Sequence, residues 1–291
     1  MAAMSATADV LTHDDPNAYV DDVVRRSGTS FFWAMRLLPG DKRRAMFAIY
    51  AFCREVDDIA DEDGEADSKR QRLERWRTEI ADLFEGRAGH SITRALAGPM
   101  RAFGLAREDF EAIIDGMTMD AADRVRIADM AELELYCDRV ACAVGRLCNR
   151  VFGLDDPIGA DLARSLGQAL QLTNILRDLD EDAERDRLYL PLSLLEESDV
   201  SVHGATAFIL TQPGVDTVCR RLAALAGQRF EEAETVLTGC DRNQVRPAIV
   251  MKEVYRRVLR RLLDRGWRTR GARVSVPRWQ KLWIAVRHGI L

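Results

Sequence analysis

Two segments of the sequence carry acidic side chains at helical spacing. The first reads Y-A-F-C-R-E-V-D-D-I-A-D and runs from residue 50 to residue 61. Its steps of four, three, one and three residues predict one helix face formed by Tyr50, Arg54, Asp57, Asp58 and Asp61. Carboxylates this close repel one another, and a hard divalent cation with oxygen ligands would relieve that repulsion. A solvated acidic helix end is the alternative.

The second acidic segment reads Q-L-T-N-I-L-R-D-L-D-E-D. Its amide and carboxylate side chains recur at steps of three, four and four residues, at Gln171, Asn174, Asp178 and Asp182. Because residues 162–172 are largely apolar, we expect this face to extend from a buried helix. Two such helices facing across a cavity would hold Mg²⁺ ions ready to receive a diphosphate. Two independent acidic surfaces are the alternative.

A pair of arginines follows the second acidic segment directly, in the sequence R-D-R-L-Y-L-P. The guanidinium groups of Arg185 and Arg187 could donate hydrogen bonds to phosphate oxygens, a role that suits their planar fork. We expect the segment to act as a flap over the acidic helices. An ordinary helix exit, with the arginines paired to Glu181 or Asp186, is the alternative.

One tyrosine stands beside small residues on a predicted long helix, in the sequence Y-C-D-R-V-A-C-A-V-G. The small side chains of Ala141, Ala143 and Gly145 would let a bulky ligand approach the helix backbone beside Tyr136. A packed tyrosine with its hydroxyl group satisfied by a hydrogen bond is the alternative.

Helices must position all of these side chains. Apolar residues recur at spacings of three and four, and alternating runs rich in β-branched residues are nearly absent, so the pattern predicts an all-α protein. The predicted helices lie near 17–27, 41–62, 67–86, 91–103, 106–118, 130–152, 158–180, 214–238, 246–265 and 277–288. We expect a single domain over residues 1–291 with a central cavity between two aspartate-rich helices.

Composition limits the partners and the location of the protein. A net charge of −5 gives no reason to expect nucleic acid, whose binders usually carry a basic excess. The start of the chain has no signal-peptide pattern, and no apolar run is long enough to span a membrane. The six cysteines form no C-x-x-C pair and are interpreted as reduced core residues. These features favour a cytoplasmic protein, and they indicate no particular oligomeric state.

These segments, in this order, resemble the squalene/phytoene synthase family from Ser27 to at least Tyr255. The resemblance implies an all-helical isoprenoid-synthase fold with a central cavity. It implies metal ligation by Asp57, Asp58, Asp61, Asn174, Asp178 and Asp182. It implies substrate contacts by Ser30, Tyr50, Arg54, Gln171, Asn174, Arg177, Arg185, Arg187 and Tyr255. By the same resemblance, Tyr136 assists proton removal or stabilises a cation, and Tyr50 and Arg54 belong with it in the catalytic group.

Within the family, S-F-F-W-A-M-R-L-L-P together with the first acidic segment is most similar to bacterial presqualene diphosphate synthases of hopanoid biosynthesis. The resemblance implies that Mg²⁺ helps one farnesyl diphosphate to ionise and that a second adds to the cation. Aromatic faces near the first acidic segment could stabilise this cation, unless they are core residues: Phe31, Phe32, Trp33, Tyr50 and Phe52.

The sequence leaves three alternative functions, two of them enzymatic. Phytoene synthase and squalene synthase belong to the same family, and the motifs N-I-L-R-D and Y-L-P do not separate the branches. The chain has no G-x-G-x-x-G motif, and we expect no NADPH requirement. A non-catalytic helical assembly factor is disfavoured, since such a protein has no reason to keep mutually repelling carboxylates.

The last residues form a basic, aromatic tail, at about 266–291. No acidic side chain follows Asp264, whereas basic and apolar residues accumulate at Arg265, Trp267, Arg268, Arg270, Arg273, Arg278, Trp279, Lys281, Leu282, Trp283, Ile284, Val286 and Arg287. This mixture suits peripheral contact with an anionic bilayer, at the inner face of the membrane. A final helix docked on the core is the alternative.

Overall fold

The computed structural model of the chain describes residues 15–27, 31–36, 38–268, 273–277, 280 and 284. The described residues are mostly helical, with two short strands, which confirms the predicted fold class. The helices are α1 (Pro16–Arg26), α2 (Phe31–Arg36), α3 (Gly40–Asp61), α4 (Ala66–Phe84), α5 (Ser91–Phe103), α6 (Arg107–Asp120), α7 (Met130–Cys137), α8 (Ala143–Phe152), α9 (Ile158–Glu184), α10 (Leu192–Glu196), α11 (Thr206–Ile209), α12 (Val215–Thr238) and α13 (Arg242–Arg265).

The observed helices match most of the predicted ones, with differences at the ends. The short helices α2, α10 and α11 were not predicted, because four to six residues give too little periodicity. Helix α13 begins at Arg242, not near residue 246, because the Asp241 side chain accepts a hydrogen bond from the Asn243 backbone N–H at 2.9 Å. Pro247 is tolerated inside this helix near its start. The predicted helix at 277–288 lies almost wholly outside the described residues.

Helix α9 forms the centre of the bundle and packs against α8, α12 and α13. Small residues allow its close contacts with neighbouring helices. A Cβ atom added at Gly167 would lie 2.9 Å from the Cα atom of Cys142, and one at Gly145 would lie 3.1 Å from that of Ala163. Gly145 therefore allows α8 and α9 to pack closely, whether or not it also contacts a ligand.

A single π-helical turn, Asp138–Cys142, interrupts the predicted continuous helix at 130–152. It separates α7, which carries Tyr136, from α8. Turns of this kind occur frequently at functional sites, because the wider turn redirects the side chains around it. Periodicity alone does not reveal such a turn, since the apolar spacing on both sides remains helical.

Two short strands fix the segment after α9. Strand β1 (Val125–Arg126) pairs in parallel with β2 (Arg187–Leu188). Leu188, Tyr189 and Leu190 are all buried. Backbone pairing and apolar burial make residues 187–190 part of the cavity wall, and the role of the segment as a flap stays a prediction. No helix in the described part of the chain is long and apolar enough to cross a membrane.

Candidate active site

A polar cavity of about 550 Å³ lies between α3 and α9. It brings together most of the residues that the sequence selected. The predicted site residues that line this cavity in the structure are Tyr50, Arg54, Asp57, Asp61, Tyr136, Gln171, Asn174, Arg177, Asp178, Asp182, Arg185 and Arg187. The expectation of two facing acidic helices is therefore consistent with the observed geometry.

On the α3 wall, the residues that face the cavity follow helical spacing. Tyr50, Arg54, Asp57 and Asp61 line it, whereas Asp58 does not. One step along a helix turns a side chain by about 100°, so Asp58 points to the side of this face. Its carboxylate pairs with the Arg54 guanidinium, with Nη2 and Oδ1 2.5 Å apart. Asp58 is thus placed to orient Arg54.

On the α9 wall, one amide oxygen has no partner. The Oδ1 atom of Asn174 is buried and accepts no hydrogen bond from the described residues, while its Nδ2 donates to Gln171 Oε1 at 3.3 Å. Leaving a buried polar atom unsatisfied costs free energy, about 1–3 kcal/mol, unless a ligand completes it. Asp178 follows Asn174 by one helical turn and Asp182 follows it by two. The unpartnered Asn174 oxygen is therefore well placed to bind a hard cation together with these carboxylates.

Arginine side chains donate hydrogen bonds to carboxylates on both walls of the cavity. Asp61 receives Arg187 at 2.7 Å and Arg185 at 3.4 Å from the segment after α9. Asp178 receives Arg177 Nε and Arg273 Nε, each at 2.8 Å from Oδ1. These guanidinium groups balance the negative charge of the cavity, and each could transfer its hydrogen bonds to a phosphate oxygen.

Two carboxyl groups of the cavity have strongly raised pKa values. Burial, followed by the charge of Asp178, raises the pKa of Asp182 to about 8. Burial, followed by the charge of Asp61, raises the pKa of Asp57 to about 6. Both shifts indicate that uncompensated negative charge is unfavourable here, and a divalent cation would supply the compensation.

The donor set fits magnesium in composition. Among the described residues, no three carboxylate, imidazole or thiol groups already converge on one point. Mg²⁺ typically takes only one or two protein carboxylates and completes its shell with water and substrate phosphate oxygens. Carboxylates divided between two walls, with an unpartnered amide oxygen beside them, match that mode of binding better than a preformed protein cage.

Tyr136 belongs to a buried network that the sequence did not reveal. Its hydroxyl donates to Asp120 Oδ2 at 3.0 Å, and the Tyr189 hydroxyl donates to Asp120 Oδ1 at 2.6 Å. The two tyrosine rings stack with centroids 4.8 Å apart. All three residues line the polar cavity. Asp120 lies outside both acidic segments, so no spacing signal could have found it, whereas Tyr189 stands inside the quoted R-D-R-L-Y-L-P segment.

An apolar cavity of about 220 Å³ adjoins the polar one. The two cavities share Val140, Gln171 and Asn174 as lining residues. The side chains that line the apolar cavity include Met35, Met46, Phe152, Leu166 and Met251. Tyr255, predicted to contact substrate, lies in this second cavity. The junction places an apolar chamber directly beside the acidic walls.

The remaining predicted site residues divide into three groups. Ser30 lies outside the described residues, as do the side chains of Phe31 and Trp33. Phe52 is fully buried against Trp76 and Phe110, so it is a core residue without access to a ligand. Phe32 stacks on Phe47 and lines neither of the two cavities described above. Among the three of these aromatic residues whose side chains are described, only Tyr50 lines the polar cavity.

Only part of the C-terminal tail is described, and that part packs against the protein. Trp267 is buried, and its indole Nε1 donates to the Leu176 carbonyl oxygen at 2.9 Å. Val276 and Ile284 are also buried. Arg273 reaches the polar cavity. The other basic and aromatic residues of the tail after Arg268 lie outside the described residues.

The fold and the two acidic helices define an all-helical protein of the isoprenoid-synthase type. A crystal structure of a dehydrosqualene synthase in complex with ligand superposes with a TM-score of 0.82 and 25% identity, covering 94% of this chain and 95% of that one. The family model for squalene/phytoene synthase matches residues 24–280. The chain belongs to the squalene/phytoene synthase family.

Two bacterial relatives of this chain are both presqualene diphosphate synthases. The presqualene diphosphate synthase of Rhodopseudomonas palustris is 42% identical over 264 residues, which cover 91% of this chain and 94% of that protein. The presqualene diphosphate synthase of Zymomonas mobilis is 43% identical over 262 residues, which cover 89% of this chain and 88% of that protein.

Proposed function

We propose that this protein is a Mg²⁺-dependent prenyltransferase that condenses two molecules of farnesyl diphosphate to presqualene diphosphate. The observation that carries the proposal is the junction of the acidic and arginine-lined cavity with the apolar cavity, at Gln171 and Asn174. A diphosphate group requires the first environment and an isoprenyl chain requires the second. Two relatives above 40% identity with this activity in their names support the choice of product.

Magnesium would be held by Asp57 and Asp61 on one wall, and by Asn174, Asp178 and Asp182 on the other. Bound there, the metal supplies Lewis-acid stabilisation of the departing diphosphate. Asp58 contributes indirectly, through the position of Arg54.

The arginines of the cavity act on the same leaving group. Arg54, Arg177, Arg185 and Arg187 exchange carboxylate partners for phosphate oxygens as the substrate enters, so that positive charge is already in place when negative charge develops. The apolar cavity excludes water from the allylic cation. Tyr50 and Tyr136 line the polar cavity, where their aromatic rings can stabilise the cation.

The product assay tests this function directly. Purified protein given farnesyl diphosphate and Mg²⁺ without NADPH should accumulate presqualene diphosphate, detected by mass spectrometry as the thirty-carbon alcohol after phosphatase treatment. Adding NADPH should give no squalene. Squalene formed with NADPH, or phytoene formed preferentially from geranylgeranyl diphosphate, would contradict the branch assignment but retain the two-helix metal site.

We further propose peripheral membrane contact through those tail residues that lie outside the described part of the chain. Buried Trp267 and Ile284 do not take part, since the core already covers them. Flotation with anionic liposomes should recover the full chain, and Trp279→Ala with Trp283→Ala should reduce recovery, because aromatic side chains anchor at the bilayer interface. Equal flotation of the two proteins would exclude these residues as the anchor.

A further inference from the structure

The Asp120 carboxylate is the meeting point of three separate elements. It stands at the last residue of α6, and it accepts hydrogen bonds from Tyr136 on α7 and from Tyr189 after β2. Asp120 is only 7% exposed, although it lines the polar cavity. Among the described residues no cation forms an ion pair with its side-chain oxygens, and burying a carboxylate that only two tyrosine hydroxyls contact costs free energy.

The hydrogen-bond directions determine what Tyr136 can do. Because its hydroxyl proton is directed to Asp120 Oδ2, the hydroxyl cannot donate that proton to a ligand in the cavity. Its oxygen can accept a proton through a lone pair. Burial raises the pKa of Tyr136 well above its usual value, so the tyrosine does not act as a preformed phenolate. It can accept a proton only while passing its own onward.

Asp120 is suited to receive that proton. Arg187 donates to its backbone oxygen at 3.0 Å and not to its carboxylate, so the carboxylate is not neutralised by a direct ion pair. Burial raises the pKa of Asp120 to about 6, although the hydrogen bonds from Tyr189 and Tyr136 and the charge of Arg187 lower it. A carboxylate with this proton affinity can hold a proton transiently near neutral pH.

We propose that Asp120 is the positioning residue and terminal proton acceptor for Tyr136 in the step that closes the cyclopropane ring. This inference rests on the proposed function. After the second substrate has added to the allylic cation, a C–H bond of the adduct breaks, and its electron pair forms the ring-closing C–C bond. The proton passes to Tyr136 Oη, and the Tyr136 hydroxyl proton passes to Asp120 Oδ2. Asp120 becomes a neutral carboxylic acid and releases the proton to solvent after turnover.

The alternative is that Asp120 only packs the two tyrosines, and the two roles predict different products. If proton removal from the adduct fails, its new C–C bond breaks again, water captures the regenerated allylic cation as farnesol or its isomer, and diphosphate is released without formation of a ring. If only packing fails, ionisation and ring closure decline together. The ratio of released diphosphate to presqualene diphosphate therefore separates the proton relay from a structural role.

The main test compares wild type with Asp120→Asn, which keeps the shape of the side chain but lacks the proton acceptor. We expect kcat for presqualene diphosphate to fall by about 100-fold, the order of a general-base contribution, with little change in KM. We also expect the ratio of diphosphate to cyclopropyl product to rise well above equality, with farnesol or its isomer appearing. Tyr189→Phe is the matched control: it removes the other hydrogen bond to Asp120 and should keep the ratio near equality.

A second variant and a double variant distinguish loss of the relay from misfolding. Asp120→Ser is the second variant should Asp120→Asn fold poorly by circular dichroism, and it should show the same change in ratio. In a Tyr136→Phe background, Asp120→Asn should change the ratio no further, because Asp120 acts through Tyr136. A wild-type ratio in both Asp120 variants, or a parallel fall of both products, would overturn the relay. Absence of any thirty-carbon product from wild type would instead reject the proposed function.

Discussion

Arg273 Nε lies 2.8 Å from Asp178 Oδ1, although 95 residues separate them in the chain. The same guanidinium approaches Glu181 at 3.4 Å. A residue of the C-terminal tail thus completes the polar cavity beside α9. The basic and aromatic neighbours of Arg273 in sequence suit either a membrane-binding surface or a tail docked on the core. Its contacts instead place it among the cationic groups around the proposed diphosphate site.

Arg273→Gln should weaken the binding of inorganic diphosphate in the presence of Mg²⁺ by about tenfold, since a hydrogen bond to a charged group contributes about 1.5–3 kcal/mol and this side chain is half exposed. Isothermal titration calorimetry measures the affinity. Arg268→Gln is the matched control, because Arg268 is 82% exposed and lies 3.7 Å from Asp216, away from the cavity lining. Equal affinities for the two variants would remove Arg273 from the binding site.

Asp57→Asn and Asp58→Asn form a second matched pair, one residue apart on the same helix. Asp57 lines the cavity and Asp58 does not. Asp57→Asn should lower kcat/KM by several orders of magnitude through loss of a metal ligand, whereas Asp58→Asn should lower it less, through a misplaced Arg54. Excess EDTA should abolish wild-type activity, and added Mg²⁺ should restore it. An equal loss in both variants would show that Asp58 also binds metal.

The raised pKa of Asp182 predicts a specific pH dependence of stability. Its pKa of about 8 exceeds the ordinary carboxyl value, so the folded state holds a proton that the unfolded state releases. Without metal, folding stability should therefore fall as pH rises from about 4 to about 8 and then level off. Asp182→Asn removes this penalty.

In EDTA, the Tm of Asp182→Asn should exceed that of wild type at pH 8.5, and the difference should shrink as the pH is lowered toward 4. Differential scanning fluorimetry measures both proteins. Added Mg²⁺ with inorganic diphosphate should raise the Tm of wild type far more than that of the variant, because ligand binding stabilises the folded state. A difference in Tm that is independent of pH would show that Asp182 is not the group concerned.

Two glycines in helix interiors should respond oppositely to alanine. At Gly167, a Cβ atom would lie 2.9 Å and 3.0 Å from backbone atoms of Cys142, which must shift to accommodate it. We expect Gly167→Ala to lower the free energy of unfolding by about 1–3 kcal/mol. At Gly227, nothing lies within 4 Å of the added atom, and alanine should stabilise α12 by about 0.5–1 kcal/mol. Urea denaturation followed by circular dichroism measures both, and the same sign at both positions would contradict this account.

The amino-acid sequence determined the helical fold and the residues that face the cavity from α3 and α9. Both follow from local periodicity, because the spacing of apolar and acidic residues on a helix fixes which of them share a face. The relation of Asp57 to Asp61, and that of Asp178 to Asp182, could be derived in this way. The same local geometry turns Asp58 away from the face that Asp57 and Asp61 share.

Tertiary structure alone decided which distant groups meet these faces. Asp120 joins Tyr136 and Tyr189 because α6, α7 and β2 converge, and Arg273 reaches Asp178 because the tail returns to α9. Residues 187–190 lie in the wall of the polar cavity because strand β2 pairs with strand β1. Such contacts depend on packing between elements far apart in sequence, and helical periodicity carries no information about which elements will pack together.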